Sequence, residues 1–319
     1  MSHAAASRVG PRFRRLAVTT TVLTYLLVSV GAIVRVTGSG MGCPDWPKCF
    51  GLFVPPMSVE ELPPLGSYSY PPGWSVESFS PLTTWIEYLN RLLGALVGLA
   101  ILATLIVAIV DFRRRKDVLL PTIGAFVGVL YAGWLGARVV AHELAPWMVT
   151  VHLGSAIAVV SCLVVAVVNA SSTSMIEVGA GQKTASRAAF GVGAFALLQG
   201  AVGTQVRGLI EDVARNNPGL SRDLWLSKVG LMDLAHKNLS MLVVAACIVL
   251  VFVFRNHVRE QVAAVRMAIA AALLSLAQLT VGLTLAGAAL PKTMQVLHLT
   301  LAALMLGALT AAGILARRR

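Results

Sequence analysis

The chain has 319 residues, of which 57% are hydrophobic and only 13% charged. That is too little charge to solvate the surface of an ordinary soluble domain, so a membrane protein is expected. The formal net charge of +12 would suit nucleic acid, but the basic residues fall in short clusters between apolar runs, and no nucleic-acid partner is expected.

Runs near the ~20 residues that cross a bilayer recur eight times, at about 16–36, 82–110, 118–139, 147–169, 188–206, 230–254, 267–290 and 293–316. Lipid offers backbone groups no outside partner, so each run is expected to be a helix. The fold class is all-α integral membrane, with eight transmembrane helices. The first run follows Arg8, Arg12, Arg14 and Arg15, as in a signal peptide. It is long, however, and VRVTGSGMG follows it rather than a small-residue cleavage site, so it reads as a retained helix. Next comes a long external loop, 37–81, rich in Pro and Gly, with Cys43 and Cys49 near its start. On an oxidising face these form either a structural disulfide or a redox-active pair.

The second helix carries Glu87, Asn90 and Arg91, and the fourth carries His152. The stretch 170–186 reads as a linker between two four-helix halves, 1–186 and 187–319. After the fifth helix a second external stretch, 208–229, carries mixed charge. The sixth helix carries Asp233, His236 and Lys237, and the eighth carries His298. Arg113 to Lys116, Lys183 and Arg187, Arg255, Arg259 and Arg266, and Arg317 to Arg319 all fall on the side of the amino terminus. By the positive-inside rule both termini are then cytoplasmic; the expected location is a prokaryotic inner or plasma membrane.

One spacing organises the polar residues within these helices. His152 lies 62 residues after Asn90, His298 lies 62 after His236, and the two sets are offset by 146 throughout. Other pieces echo each other: VGAIVRVTG with QGAVGTQVRGL, YAGWLGA with LTVGLTL, and VTVHLGSA with MQVLHLTLA. The halves are therefore expected to form two pseudo-symmetric bundles, related by an axis along the membrane normal. Gly31, Gly94, Gly133, Gly200 and Gly282 are expected to let helices approach closely.

Ionisable residues inside a membrane are costly and usually functional. Helices 2, 4, 6 and 8 all start on the outer side, so Asn90, His152, His236 and His298 reach a similar depth. His236 and His298, on two helices at one level, can clamp a haem iron from both faces. A zinc site is the weaker reading, because no further ligands stand at metal spacing. Arg35, Arg138 and Arg207 end helices on the outer side, and Arg91 and Lys237 adjoin the ligand positions. All five suit the carboxylates of a haem. Glu87 and Asp233 lie one turn before the ligand position and can hold or move protons. Asn is not a usual haem ligand. The first half therefore reads as a reactive site with His152 alone, and the second as an electron relay. His3, His142 and His257 read as surface histidines, and Cys162 and Cys247 as buried small hydrophobes.

The chain resembles the heme A synthase family. The resemblance is carried by VRVTGSGMGCPDWPKC after helix 1, EYLNR in helix 2, WMVTVHLGSA in helix 4, DLAHKNLS in helix 6 and VLHLTLA in helix 8. It implies an eight-helix, two-half membrane enzyme that oxidises the ring methyl of heme O to a formyl group, giving heme A for cytochrome oxidase assembly. It further implies heme b held between His236 and His298, and a first-half substrate site with an acid and two His. Glu87 and His152 match that site, whereas Asn90 stands where the second His is expected. A cysteine pair common in the family after helix 5 is absent. Implied partners are heme O as substrate, a heme O synthase, a terminal oxidase and a second copy of the chain. Rival readings are a non-catalytic di-haem electron-transfer cytochrome, which predicts two equivalent haems, and a repeat-built transporter, which predicts broken helices and a midplane site.

Overall fold

The structure is a computed structural model that describes residues 3–71, 74–171 and 178–318, with side chains from residue 11 onward. Eight long helices dominate: α1 (His3–Val36), α2 (Pro81–Phe112), α3 (Lys116–Ala141), α4 (Pro146–Ser171), α5 (Ala180–Asn216), α6 (Leu231–His257), α7 (Val262–Gly287) and α8 (Lys292–Leu315). Among the described residues there is no strand, and all eight helices are long and apolar enough to cross a membrane. Leu99, Leu130, Leu198 and Leu273 are among the large apolar side chains left exposed along them. A bilayer solvates such a surface, whereas water would not. The chain is thus an all-α, multi-pass membrane protein.

Local chemistry sets several helix starts. The Ser80 hydroxyl accepts from the Thr83 N–H, and Pro81 occupies the first position of α2. Pro146 opens α4 in the same way, and Pro291 caps α8.

The 146-residue offset recurs in the backbone. Glu143 and Leu144, between α3 and α4, have φ of 50° and 60°, and Ala289 and Leu290, between α7 and α8, have 54° and 58°. Two successive left-handed residues without glycine are uncommon. Each turn closes with the same hydrogen bond, Leu144 N–H to the Val139 carbonyl at 2.9 Å and Leu290 N–H to the Leu285 carbonyl at 3.2 Å.

In the first half α1 packs on α2 and α4, and α3 on α2 and α4; in the second, α5 packs on α6 and α8, and α7 on α6 and α8. The halves meet through α1, α4, α5 and α8. Ile101, Ala125 and Leu163 centre one core, and Leu250, Phe254, Ala268 and Leu309 another. Across the seam Ser29 pairs with Thr300 at 2.9 Å and Thr150 with Thr204 at 2.5 Å. Such bonds contribute about 0.6 kcal/mol each in a bilayer.

Some expectations change. Helix α5 is much longer than expected, so 208–216 is helix rather than external loop, and Arg207 lies more than two turns before its end. The cause is burial: Val206 and Ile210 pack with Leu290 and against Trp225, Leu226 and Val229. Helix α7 stops at Gly287, because Ala289 and Leu290 form the turn. In the expected linker 170–186, both ends are helical, residues 172–177 lie outside the described residues, and the division at 186/187 falls inside α5. The side chains of His3 and Arg8, and the whole of Arg319, also lie outside the described residues. His257 is the last residue of α6 and is exposed, as is His142.

The glycine expectation fails at four of five positions. A Cβ on Gly31, Gly94, Gly133 or Gly200 would meet nothing within 4 Å, so these do not mark close helix contacts. Of the five only Gly282 has a near neighbour, and it is a histidine of the candidate site.

Candidate functional site

In the second half, the sequence sends His236 inward from α6 and His298 inward from α8, each within two turns of its helix start. Their ring centroids lie 6.4 Å apart with the planes at 64°. Two imidazoles that share one metal ion, each through a nitrogen about 2 Å from it, have centroids about 6 Å apart. The pair therefore fits two-sided ligation of a haem iron. Glycines make room for both rings. A Cβ on Gly203 of α5 would stand 2.7 Å from His236 Cε1, and one on Gly282 of α7 would stand 3.4 Å from His298 Cε1.

The first half repeats part of this. His152 projects from α4 toward α3, where a Cβ on Gly136 would stand 3.6 Å from its Cε1. Gly136 and Gly282 are 146 residues apart. His152 Nδ1 and His298 Nδ1 are both buried and make no hydrogen bond of good geometry. The backbone carbonyls beside the two rings are those of Ala132 and Gln278, again 146 residues apart. A backbone carbonyl beside the non-ligating nitrogen is the usual support of a metal-binding histidine. Asn90 breaks the parallel. Its Oδ1 is buried without a partner, and no hydrogen bond joins it to His152.

The GxxVR stretch of α1, Gly31 to Arg35, matches Gly203 to Arg207 of α5. In that alignment Gly31 stands where Gly203 stands, yet open space lies beside it rather than an imidazole.

Glu87 is buried, and both its carboxylate oxygens are engaged. Oε2 accepts from the Cys43 N–H at 2.8 Å, and Oε1 accepts from Arg91. Arg91 also donates to the carbonyls of Asp45 at 2.6 Å, Lys48 at 2.9 Å and Cys43 at 3.0 Å. The acid and base of EYLNR thus anchor the external loop to α2. Cys43 and Cys49 form a disulfide and are both fully buried. Phe50 covers them, with Tyr68, Tyr70, Trp74 and Phe79 around it. That burial favours the structural reading of the pair, since a redox partner needs access to the sulfurs. Burial, and the Asp45 carboxylate beside it, push the Tyr68 phenol well above its ordinary value.

The other basic residues also have protein partners. Lys237 pairs with Asp233 at 2.6 Å, and Arg138 lies 2.9 Å from His142 Nε2. Arg35 and Arg207 share one carboxylate, Glu211, at 3.1 and 2.9 Å. Arg207 also donates to Gln295 at 2.8 Å. Glu211 has no mark in the sequence, because it lies in the mixed-charge stretch 208–229 that reads as loop. Gly136 has none either, apart from its 146-residue match to Gly282. Gln199, whose Nε2 lies 3.1 Å from His236 Nδ1, also went unread. Cys247 is buried and Cys162 partly buried, both as free thiols.

Comparison with known proteins bears on most of the chain. The model of the cytochrome oxidase assembly protein family, COX15-CtaA, matches residues 14–310. A heme A synthase of Shewanella oneidensis is 31% identical over 144 residues, 45% of this chain and 41% of that protein. A heme A synthase of Shouchella clausii is 31% identical over 146 residues, 44% and 40% of the two chains. One of Nitrosomonas eutropha is 29% identical over 155 residues, 44% and 43%. Each alignment thus spans about two fifths of the relative's length. The family match is far longer, running from within α1 to within α8 and taking in every candidate ligand, and on that match the chain belongs to the cytochrome oxidase assembly protein family.

Proposed function

We propose that this chain is a heme A synthase, oxidising the ring methyl of heme O to a formyl group. The observation that carries the reading is the difference between two otherwise parallel sites. His236 and His298 face each other at 6.4 Å, whereas His152 has Asn90 in the matching place. A haem held by two histidines would suit electron transfer, and one held by a single histidine would stay open to chemistry.

In the second half His236 and His298 would hold heme b, which supplies one-electron redox chemistry when bound. In the first half His152 would orient heme O through its iron. Glu87, fixed by Arg91 and the Cys43 N–H, holds a carboxylate at a set place one turn before Asn90, where it can accept or return a proton at Oε1 or Oε2. Arg35 and Arg207 would meet propionates by exchanging their shared Glu211 for a carboxylate of the haem, and Arg91, Arg138 and Lys237 are further candidates. The basic end, with Arg12, Arg113, Arg114 and Arg255, would face the cytoplasm. Both sites and the disulfide loop then lie toward the outer face, and the termini inside. The two four-helix halves act as pseudo-symmetric units. A heme O synthase would supply the substrate and a terminal oxidase would receive the product.

The test is extraction of haems from cells that make this chain and a source of heme O. Heme A is expected on chromatography with the natural sequence and not with His152→Ala. The purified protein is expected to show a low-spin haem spectrum that His236→Ala or His298→Ala removes. Heme O that accumulates unchanged beside a fully loaded protein would overturn the synthase reading in favour of an electron-transfer cytochrome.

A further inference from the structure

His236 differs from the other candidate ligands in one respect: besides the backbone carbonyl of Gln199, the side chain of that same residue meets the ring, at Nδ1. Gln199 on α5 places its Nε2 3.1 Å from that nitrogen. The contact crosses from α5 to α6 above Gly203, the residue that leaves room for the ring. Its counterpart in the first half tells the same story in reverse. When the GxxVR stretches are aligned, the residue matching Gln199 is Leu27, and the residue matching His236 by the 146-residue offset is Asn90. The position that holds an imidazole, 236, has a carboxamide behind it, and its counterpart at Asn90 has an aliphatic chain.

A carboxamide has a donor end and an acceptor end, exchanged by a half-turn. With the amide nitrogen donating to Nδ1, the neutral ring carries its proton on Nε2 and has no lone pair there for a metal. With Oε1 accepting, the proton sits on Nδ1 and Nε2 is free. The hydrogen bond at one ring nitrogen therefore decides what the other can do, and sets the basicity of the ligand. We propose that Gln199 is a positioning residue that fixes the tautomer of His236 and tunes the reduction potential of a haem bound there. The proposal rests on the reading of His236 and His298 as haem ligands.

The experiment is a redox titration, followed by visible absorbance, of the purified holoprotein in detergent, with Gln199→Leu and Gln199→Glu beside the natural chain. Leu removes the side-chain acceptor and leaves only the backbone carbonyl of residue 199 beside the ring, so His236 becomes a weaker donor to iron. The midpoint is expected to rise, and haem retention to fall by about 10- to 100-fold. Glu is a stronger acceptor, so the ring gains imidazolate character and the midpoint is expected to fall. Opposite shifts support the proposal. Midpoints that coincide with the natural one in both variants overturn it while leaving the ligand assignment intact. If Gln199→Leu cannot be purified, an unshifted Gln199→Glu midpoint is sufficient to reject the idea. Should the natural protein carry no haem that His236→Ala removes, it is the ligand assignment that fails, a separate and recognisable result.

Discussion

Gly203 and Gly31 occupy the same place in their halves and face opposite demands. A methyl at 203 would stand 2.7 Å from the His236 ring, while one at 31 would meet nothing within 4 Å. Gly203→Ala must therefore push His236 aside or shift α5, at a cost of about 1–3 kcal/mol for overpacking, whereas Gly31→Ala should fold normally. Haem absorbance per purified chain reads the difference: loss at 203 and retention at 31 are expected, and equal retention would show that the His236 ring moves freely. The candidate ligand positions stand out in the sequence, because an imidazole in an apolar helix is rare and the 62-residue spacing repeats. Gln199, Gly203 and Glu211 were not legible. Gln199 acts on a residue 37 positions away and Glu211 on one 176 away, and no local pattern encodes which helix will stand opposite.

The loop before α2 behaves as an element in its own right. Its core is the buried disulfide under Phe50 and the surrounding aromatic rings, and its seam with α2 is Glu87, Arg91 and Thr84, whose hydroxyl donates to the Gly42 carbonyl at 2.9 Å. Closing so short a loop contributes about 2 kcal/mol to its ordering. Replacing both cysteines by serine should therefore loosen residues 43–52 and release the Cys43 N–H from Glu87. Hydrogen exchange is expected to rise there and not in α6 or α8, and heme A formation to drop while the haem spectrum assigned to His236 and His298 persists. A spectrum lost together with formation would mean that the loop supports the whole bundle rather than the first site. The existence of every helix was legible from apolar length alone, but several ends were not. The last turns of α5 read as loop because they carry Arg207, Glu211, Asp212 and Arg215. What continues the helix is burial of Val206 and Ile210 beside the segment before α6, which no window of hydropathy contains.

At the scale of the molecule, the two halves are joined at each end by a shared carboxylate. At the end bearing the disulfide loop, Glu211 of α5 takes Arg207 from its own helix and Arg35 from α1. At the basic end, Asp117 of α3 takes Arg115 at 2.8 Å and Arg318, beyond α8, at 3.0 Å. Between them runs a largely apolar seam of α1, α4, α5 and α8, crossed by a few hydroxyl contacts, whose surface lipid would solvate almost as well as a neighbouring helix does, so packing alone fixes the halves weakly. The clamps are partly exposed, which limits each to about 1–2 kcal/mol. They lie at opposite ends of helices of 26 residues or more, roughly 39 Å at 1.5 Å per residue, too far apart to share partners. Glu211→Gln and Asp117→Asn should each lower the melting temperature in detergent by a few degrees, and the double variant by close to the sum. Near-additivity is the signature of two independent clamps on one seam. A double variant no less stable than either single one would show that breaking one end already frees the other. Unchanged melting in all three would show that small-residue and hydroxyl contacts, Ser29 with Thr300 and Thr150 with Thr204, hold the halves without help from charge.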